Sequence, residues 1–167
     1  MSKLAFIFPG QGAQKAGMGK DFYENSETAR SFFDQAQKIL DFDLKEMCFG
    51  EHEELNLTEY TQPCMVSVCL AIVQELKKRG INPDITAGLS LGEYAAVAAA
   101  GGMNELDAIK LVRRRGILMQ STVPTGEGAM AAVLGLDAKK IEEILESFEN
   151  VWIANYNCPG QDSNNWI

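Results

Sequence analysis

The stretch Asp84-Ile85-Thr86-Ala87-Gly88-Leu89-Ser90-Leu91-Gly92-Glu93-Tyr94-Ala95-Ala96-Val97-Ala98-Ala99-Ala100 decides the fold. Asp84 to Gly88 is short and apolar and reads as a buried strand, whereas Glu93 to Ala100 is an alanine-rich helix ended by Gly101-Gly102. Between them Gly88-Leu89-Ser90-Leu91-Gly92 fits G-x-S-x-G, a serine on a sharp strand-to-helix turn. The flanking glycines let strand and helix approach without Cβ clashes. The Leu91 N–H then lies at a helix N-terminus, where it can stabilise a developing oxyanion. The pattern predicts a nucleophilic serine; the alternative is a plain tight turn with Ser90 as helix N-cap.

Working outward, Lys3 to Phe8 is a second apolar run stopped by Pro9-Gly10 and reads as a buried strand. Gly10, Gly12, Gly17 and Gly19 make the next stretch a loop. It is not a dinucleotide fingerprint, because Lys15 stands at the third glycine position. It is not a P-loop either, because Met18 stands where that motif needs lysine. Ser26 to Leu40 carries Ala29, Phe32, Phe33, Ala36 and Leu40 at helical spacing. Asp41 to Tyr60 is acidic and irregular. Thr61 can cap a helix whose first turn holds Pro63 and which Gly80 stops.

A long helix is predicted from about Glu105 to Ser121, with Asn104 in a capping position. Ala108, Leu111, Val112 and Met119 define its apolar stripe, and Arg115 falls on that stripe, while Arg113 and Arg114 fall off it and read as solvated. A buried guanidinium needs a partner. That partner is either an internal carboxylate or the carboxylate of a substrate, which the planar fork suits. Beyond Pro124 the chain changes character. Ala129 to Leu136 reads as a strand, Asp137 caps a helix bearing Ile141, Ile144, Leu145 and Phe148, and Val151 to Asn157 reads as another strand. These predict a βαβ unit with its own core and a boundary near residue 125. The polar Asp162 to Ile167 shows no period.

The 167 residues are 46% hydrophobic and 23% charged, which excludes disorder, collagen and coiled coil as global descriptions. A net charge of −8 argues against nucleic-acid binding. No apolar run reaches membrane-spanning length, and the N-terminus does not read as a signal peptide, so the expectation is a cytoplasmic protein. Cys48, Cys64, Cys69 and Cys158 form no C-x-x-C pair and read as buried, reduced thiols rather than zinc ligands. The one histidine, His52, lies in an acidic loop and reads as a solvated surface residue. Ser90 thus has no evident base in the sequence, although serine needs one to be a strong nucleophile.

Several blocks together carry a family resemblance. Phe8-Pro9-Gly10-Gln11-Gly12-Ala13-Gln14, Tyr60-Thr61-Gln62-Pro63, Gly88 to Tyr94, Arg114 to Gln120, Gly128 to Ala132 and Asn155 to Gln161 resemble the malonyl-CoA:acyl carrier protein transacylases over residues 3 to 161. The resemblance implies an α/β fold: an incomplete α/β-hydrolase-like parallel-sheet domain over 1–125, and the first βαβ half of a ferredoxin-like subdomain over 126–167. It implies Ser90 as the acylated nucleophile, Gln11 and Leu91 as oxyanion-hole N–H donors, Arg115 as the holder of the malonyl carboxylate, and Gln62 near the pocket. Malonyl-CoA and acyl carrier protein would be the partners, in fatty acid synthesis, with no cofactor. Family members are longer, and their catalytic histidine lies in the later part. Asp162 to Asn165 stands where they continue into an apolar strand, which implies an N-terminal portion interrupted after Gln161 and inactive or slow alone. The other readings are an acyltransferase of polyketide synthesis, a non-catalytic protein that keeps the carrier-protein docking surface, and a plain serine hydrolase, against which Arg115 and the missing histidine weigh.

Overall fold

A computed structural model describes residues 3–123, 126–158 and 161–166. The fold is mixed α/β and forms two compact units, residues 1–120 and 121–167. The first holds strand β1 (Ala5–Phe8), helices α1 (Lys20–Asn25), α2 (Glu27–Gln37) and α3 (Leu44–Phe49), a 3₁₀ turn (Glu53–Asn56), α4 (Thr58–Lys78), strand β2 (Ile85–Gly88) and α5 (Leu91–Ala99). Helix α6 (Glu105–Thr122) runs to its end. Strands β1 and β2 pair in parallel, Ala5 opposite Ile85 through Phe8 opposite Gly88.

Local signals account for most element starts. Ser26 caps α2 by accepting from the Ala29 N–H, and Asp43 caps α3 by accepting from Glu46. Asn104 Oδ1 accepts from the Leu106 N–H at 2.9 Å, as its position predicts. Asp41 to Tyr60 is more ordered than expected, since Asp43 starts a helix there. Thr61 does not begin α4; the helix starts a turn earlier, and Thr61 Oγ1 donates instead to the Leu55 carbonyl at 2.6 Å. Pro63 therefore sits inside the helix. It has no N–H, so the Glu59 carbonyl loses its intrahelical donor.

That carbonyl is satisfied from another helix. Arg113 Nη1 donates to Glu59 O at 2.7 Å, and its other nitrogens hold both Asp41 carboxylate oxygens at 2.9 Å. The guanidinium also lies 5.1 Å from the Phe42 ring centre and 5.0 Å from that of Tyr60. Arg113 is thus a docking residue of α6 rather than a solvated one. The neighbouring Gly116 makes the approach possible, because a Cβ there would lie 2.7 Å from the Thr58 carbonyl oxygen.

Helix α4 is the centre of the first unit. Thr61 to Val68 is buried all round, with α2, α3 and α5 packed about it. The sheet is less covered than the apolar strands predict: Ile7 is 78% exposed and Ile85 54%. Helix α5 packs on both strands, while Ile7 and Ile85 on the sheet stay exposed. A groove of about 440 Å³ runs along β1, with Phe6, Phe8, Met65, Val68 and Ile72 in its walls.

The second unit holds β3 (Ala129–Leu134), α7 (Ala138–Leu145), β4 (Val151–Cys158) and β5 (Gln161–Trp166) in the order β3-β5-β4. Strand β5 is antiparallel to both neighbours, so β3 and β4 run in the same direction with β5 between them. The polar stretch after Gln161 is therefore the central strand. Backbone N–H and C=O groups make the ladder, and they do not require apolar side chains. The expected core of this unit is not there: Ile141 is its one buried apolar side chain among the described residues. Among those residues, no helix is long and apolar enough to cross a membrane.

Candidate active site

Ser90 joins β2 to α5 with φ 49° and ψ −102°, a conformation that L-residues other than glycine rarely adopt. Such strain persists only where the surroundings enforce it. Here they do. A Cβ on Gly88 would run into the Gly92 backbone, and a Cβ on Gly92 into the Phe8 and Pro9 carbonyls. Strand, turn and helix are therefore packed backbone to backbone, and Ser90 takes the kink. Its side chain makes no capping hydrogen bond, which sets aside the N-cap reading. Leu91 opens α5, and the first N–H groups of a helix have no intrahelical acceptor.

Arg115 reaches this turn from α6, 25 residues away in sequence. Its Nη2 lies 3.5 Å from Ser90 Oγ, a long contact that leaves the hydroxyl weakly held. Its guanidinium carbon lies 5.6 Å from the Tyr94 ring centre. No carboxylate pairs with it among the described residues, so the internal salt bridge is not formed. The stripe that frames Arg115 is Ala108, Ile109, Val112 and Gly116; Leu111 and Met119 are half-exposed. Arg115 flanks this stripe and is half-buried.

Gln62 is fully buried on α4. Its Nε2 faces Gln11 Oε1 at 3.4 Å and Met119 Sδ at 3.3 Å, and its Oε1 has no partner among the described residues. Gln11 Nε2 donates to Thr58 Oγ1 at 3.1 Å, and Gln14 ties the same loop to Asn56 and to the Gly12 N–H. The glycine-rich loop is thus pinned beside α4. The tethers to Thr58, Asn56 and Gln62 join residues more than 40 apart, and nothing local in the sequence announces them.

His52 is half-buried, with Nε2 3.0 Å from Glu46 Oε1, rather than free in solvent. Among the described residues, Arg115 is the one hydrogen-bonding partner of Ser90 Oγ, and no histidine or carboxylate holds that hydroxyl. Cys48 and Cys64 are buried free thiols, and Cys69 is half-buried and free. Burial pushes the Cys69 thiol up to about 11. The Cys64 thiol is also pushed up, first by its hydrogen bond to Cys48 and then by burial. The raised values keep Cys64 and Cys69 as protonated structural thiols. The Cys158 side chain lies outside the described residues.

Residues 5–162 match the acyl transferase domain family. The chain belongs to that family. Among curated acyl transferase relatives, the malonyl CoA-acyl carrier protein transacylase of Bacillus subtilis (strain 168) is 47% identical over 96% of this chain and 52% of its own length. The crystal structure of the transacylase of that name from Clostridium perfringens is 43% identical, with a TM-score of 0.89 over 98% of this chain and 53% of that one. A malonyl-transacylase solved in complex with its type II PKS acyl-carrier protein is 38% identical, with a TM-score of 0.88 over 99% of this chain and 55% of that one. The chain spans about half the length of the curated relatives it matches.

Proposed function

We propose that this chain carries the acyl-accepting half of an S-malonyltransferase, with Ser90 as the nucleophile and Arg115 as the carboxylate holder. One observation carries the reading: an uncompensated guanidinium 3.5 Å from a serine hydroxyl on a strained elbow. In a malonyl thioester a single methylene separates the carboxylate from the reacting carbonyl. A cation one contact from the nucleophile therefore suits a short diacid better than a long acyl chain. Arg donates two parallel N–H bonds to such a carboxylate.

In the first step Ser90 Oγ bonds to the thioester carbonyl carbon. The carbon–sulfur bond breaks, and the hydroxyl proton ends on the departing CoA thiol. In the second, the pantetheine thiol of an acyl carrier protein attacks the serine ester and restores the hydroxyl. The Gln11 and Leu91 N–H groups would take the oxyanion in both steps, and Gln62 would help shape the pocket. The steps use no cofactor, with malonyl-CoA as substrate. On this reading residues 1–125 are part of an α/β-hydrolase-like domain, supported by the strand–serine–helix elbow. Residues 126–167 are the start of a ferredoxin-like subdomain, supported by β3 and β4 flanking β5.

The test is intact mass after exposure to malonyl-CoA. A single malonyl adduct, mapped to Ser90 and absent from Ser90→Ala, is the expected result. It forms slowly, because among the described residues no base touches the hydroxyl. An adduct that survives Ser90→Ala overturns the assignment.

A further inference from the structure

We propose that Tyr94 is a positioning residue that holds the Arg115 guanidinium over Ser90, and that its ring thereby sets the preference for an acyl group ending in a carboxylate. The inference rests on the acyl-transfer reading above and adds a determinant of its selectivity.

Tyr94 lies in the first turn of α5, four residues after Ser90 in the kink that precedes the helix. Its ring is half-buried and packed against the core of the first unit. Core packing therefore fixes the ring, whereas a free arginine side chain spreads its head group over many rotamers. The guanidinium carbon sits 5.6 Å from the ring centre, within the range where the ring quadrupole attracts a cation. The Tyr94 hydroxyl bonds nothing among the described residues, so the ring face and not the hydroxyl does the holding.

The same helix supplies the contrast. Arg113 is also held by aromatic rings, Phe42 and Tyr60, but Asp41 and Glu59 neutralise it. Arg115 has the ring and, among the described residues, no carboxylate. An aromatic face is the kind of holder that orients a guanidinium without consuming its charge or its paired N–H donors. A carboxylate at the Tyr94 position would occupy the fork that a substrate carboxylate needs.

The test compares affinities for malonyl-CoA and acetyl-CoA by titration calorimetry. It uses the full chain in a Ser90→Ala background, so that no acyl group is transferred. The expected result is a malonyl preference that falls about tenfold in Tyr94→Leu, as loss of a cation–ring contact implies. The preference stays within about twofold in Tyr94→Phe, which keeps the ring. Acetyl-CoA affinity stays unchanged in both, which a general loss of packing would not allow. If Tyr94→Leu fails to fold, pentafluorophenylalanine at position 94 keeps the shape and inverts the quadrupole, and the same fall is expected. An unchanged preference in either of these variants overturns the proposal while leaving the Arg115 assignment intact. No malonyl preference in the Tyr94 chain, or a preference that survives Arg115→Ala, overturns the acyl-transfer reading and this inference with it.

Discussion

Residues 1–120 and 121–167 are built from the same parts, short strands joined by amphipathic helices, yet among the described residues only the first unit has a core. Helix α4 is enclosed by three other helices and buries nearly every face. Helix α7 has an equally clear apolar stripe, Ile141, Ile144 and Leu145, continued by Phe148 just beyond its end, and of these only Ile141 is buried. Leu134 on β3 is 70% exposed and Trp152 on β4 is 52% exposed. Periodicity shows which face can be buried. Burial itself needs a second layer to close on it. The candidate site lies wholly in the unit whose elements have that layer, as a strained serine requires.

The comparison can be broken most forcefully at the glycines. Gly92→Leu drives a side chain into the Phe8 and Pro9 carbonyls, which cannot move aside, and should cost the first unit more than about 4 kcal/mol. Gly135→Ala in the second unit meets nothing within 4 Å and carries only the strain of φ 81°, a cost of about 1–2 kcal/mol. Urea melts followed by far-UV circular dichroism measure both. Equal losses would mean that the close packing at the elbow is not what holds the first unit.

Core deletions come next. Leu70 is fully buried on α4, so Leu70→Ala should cost about 2–5 kcal/mol. Leu134→Ala removes an exposed side chain and should change stability by less than about 0.5 kcal/mol. A large loss at Leu134 would reveal a covered surface on β3 in solution.

A third measurement separates the two units within one sample. Both tryptophans, Trp152 and Trp166, belong to the second unit, while most helical residues belong to the first. Tryptophan fluorescence should change at lower urea than ellipticity, since a unit with few buried apolar contacts opens first. The exposed apolar side chains of β1, β3 and β4 should also bind a hydrophobic dye and promote self-association in light scattering. Coincident transitions would show the two units unfolding as one.

The smallest effect is at the α6 docking point. Hydrogen bonds from Arg113 hold the Asp41 carboxyl below its ordinary value of 3.8. A depressed folded value means that the pair stabilises above the ordinary carboxylate range and is lost as pH falls through the folded value. Asp41 is largely exposed, so the contribution is under about 1 kcal/mol. Wild type and Asp41→Asn should therefore converge in stability as pH falls through the lowered folded value, where both side chains become neutral.

Much of the architecture was legible because its causes are local. A glycine pair around Ser90, a serine at the start of α2, an asparagine before α6 and an aspartate before α7 each act within one turn of chain. The elbow, the parallel pair of strands and the boundaries of most helices follow from such signals. The exceptions also have local reasons that the sequence leaves ambiguous. Pro63 reads as a helix start, and becomes an interior residue because Arg113 supplies the donor that proline lacks.

Tertiary packing alone decided the rest. It chose Arg113 as the docking residue and left Arg115 without a carboxylate among the described residues, although the two stand two residues apart on one helix. It brought the Arg115 guanidinium to Ser90 and to Tyr94 across 25 and 21 residues of chain. It made a strand of Gln161 to Trp166, whose polar side chains carry no strand pattern, by offering it two backbone edges at once. Caps and turns are satisfied by the nearest few residues and can be read from them. A charge, a carbonyl or a strand edge is satisfied by whatever the folded chain places opposite it, and that is fixed only when distant elements pack.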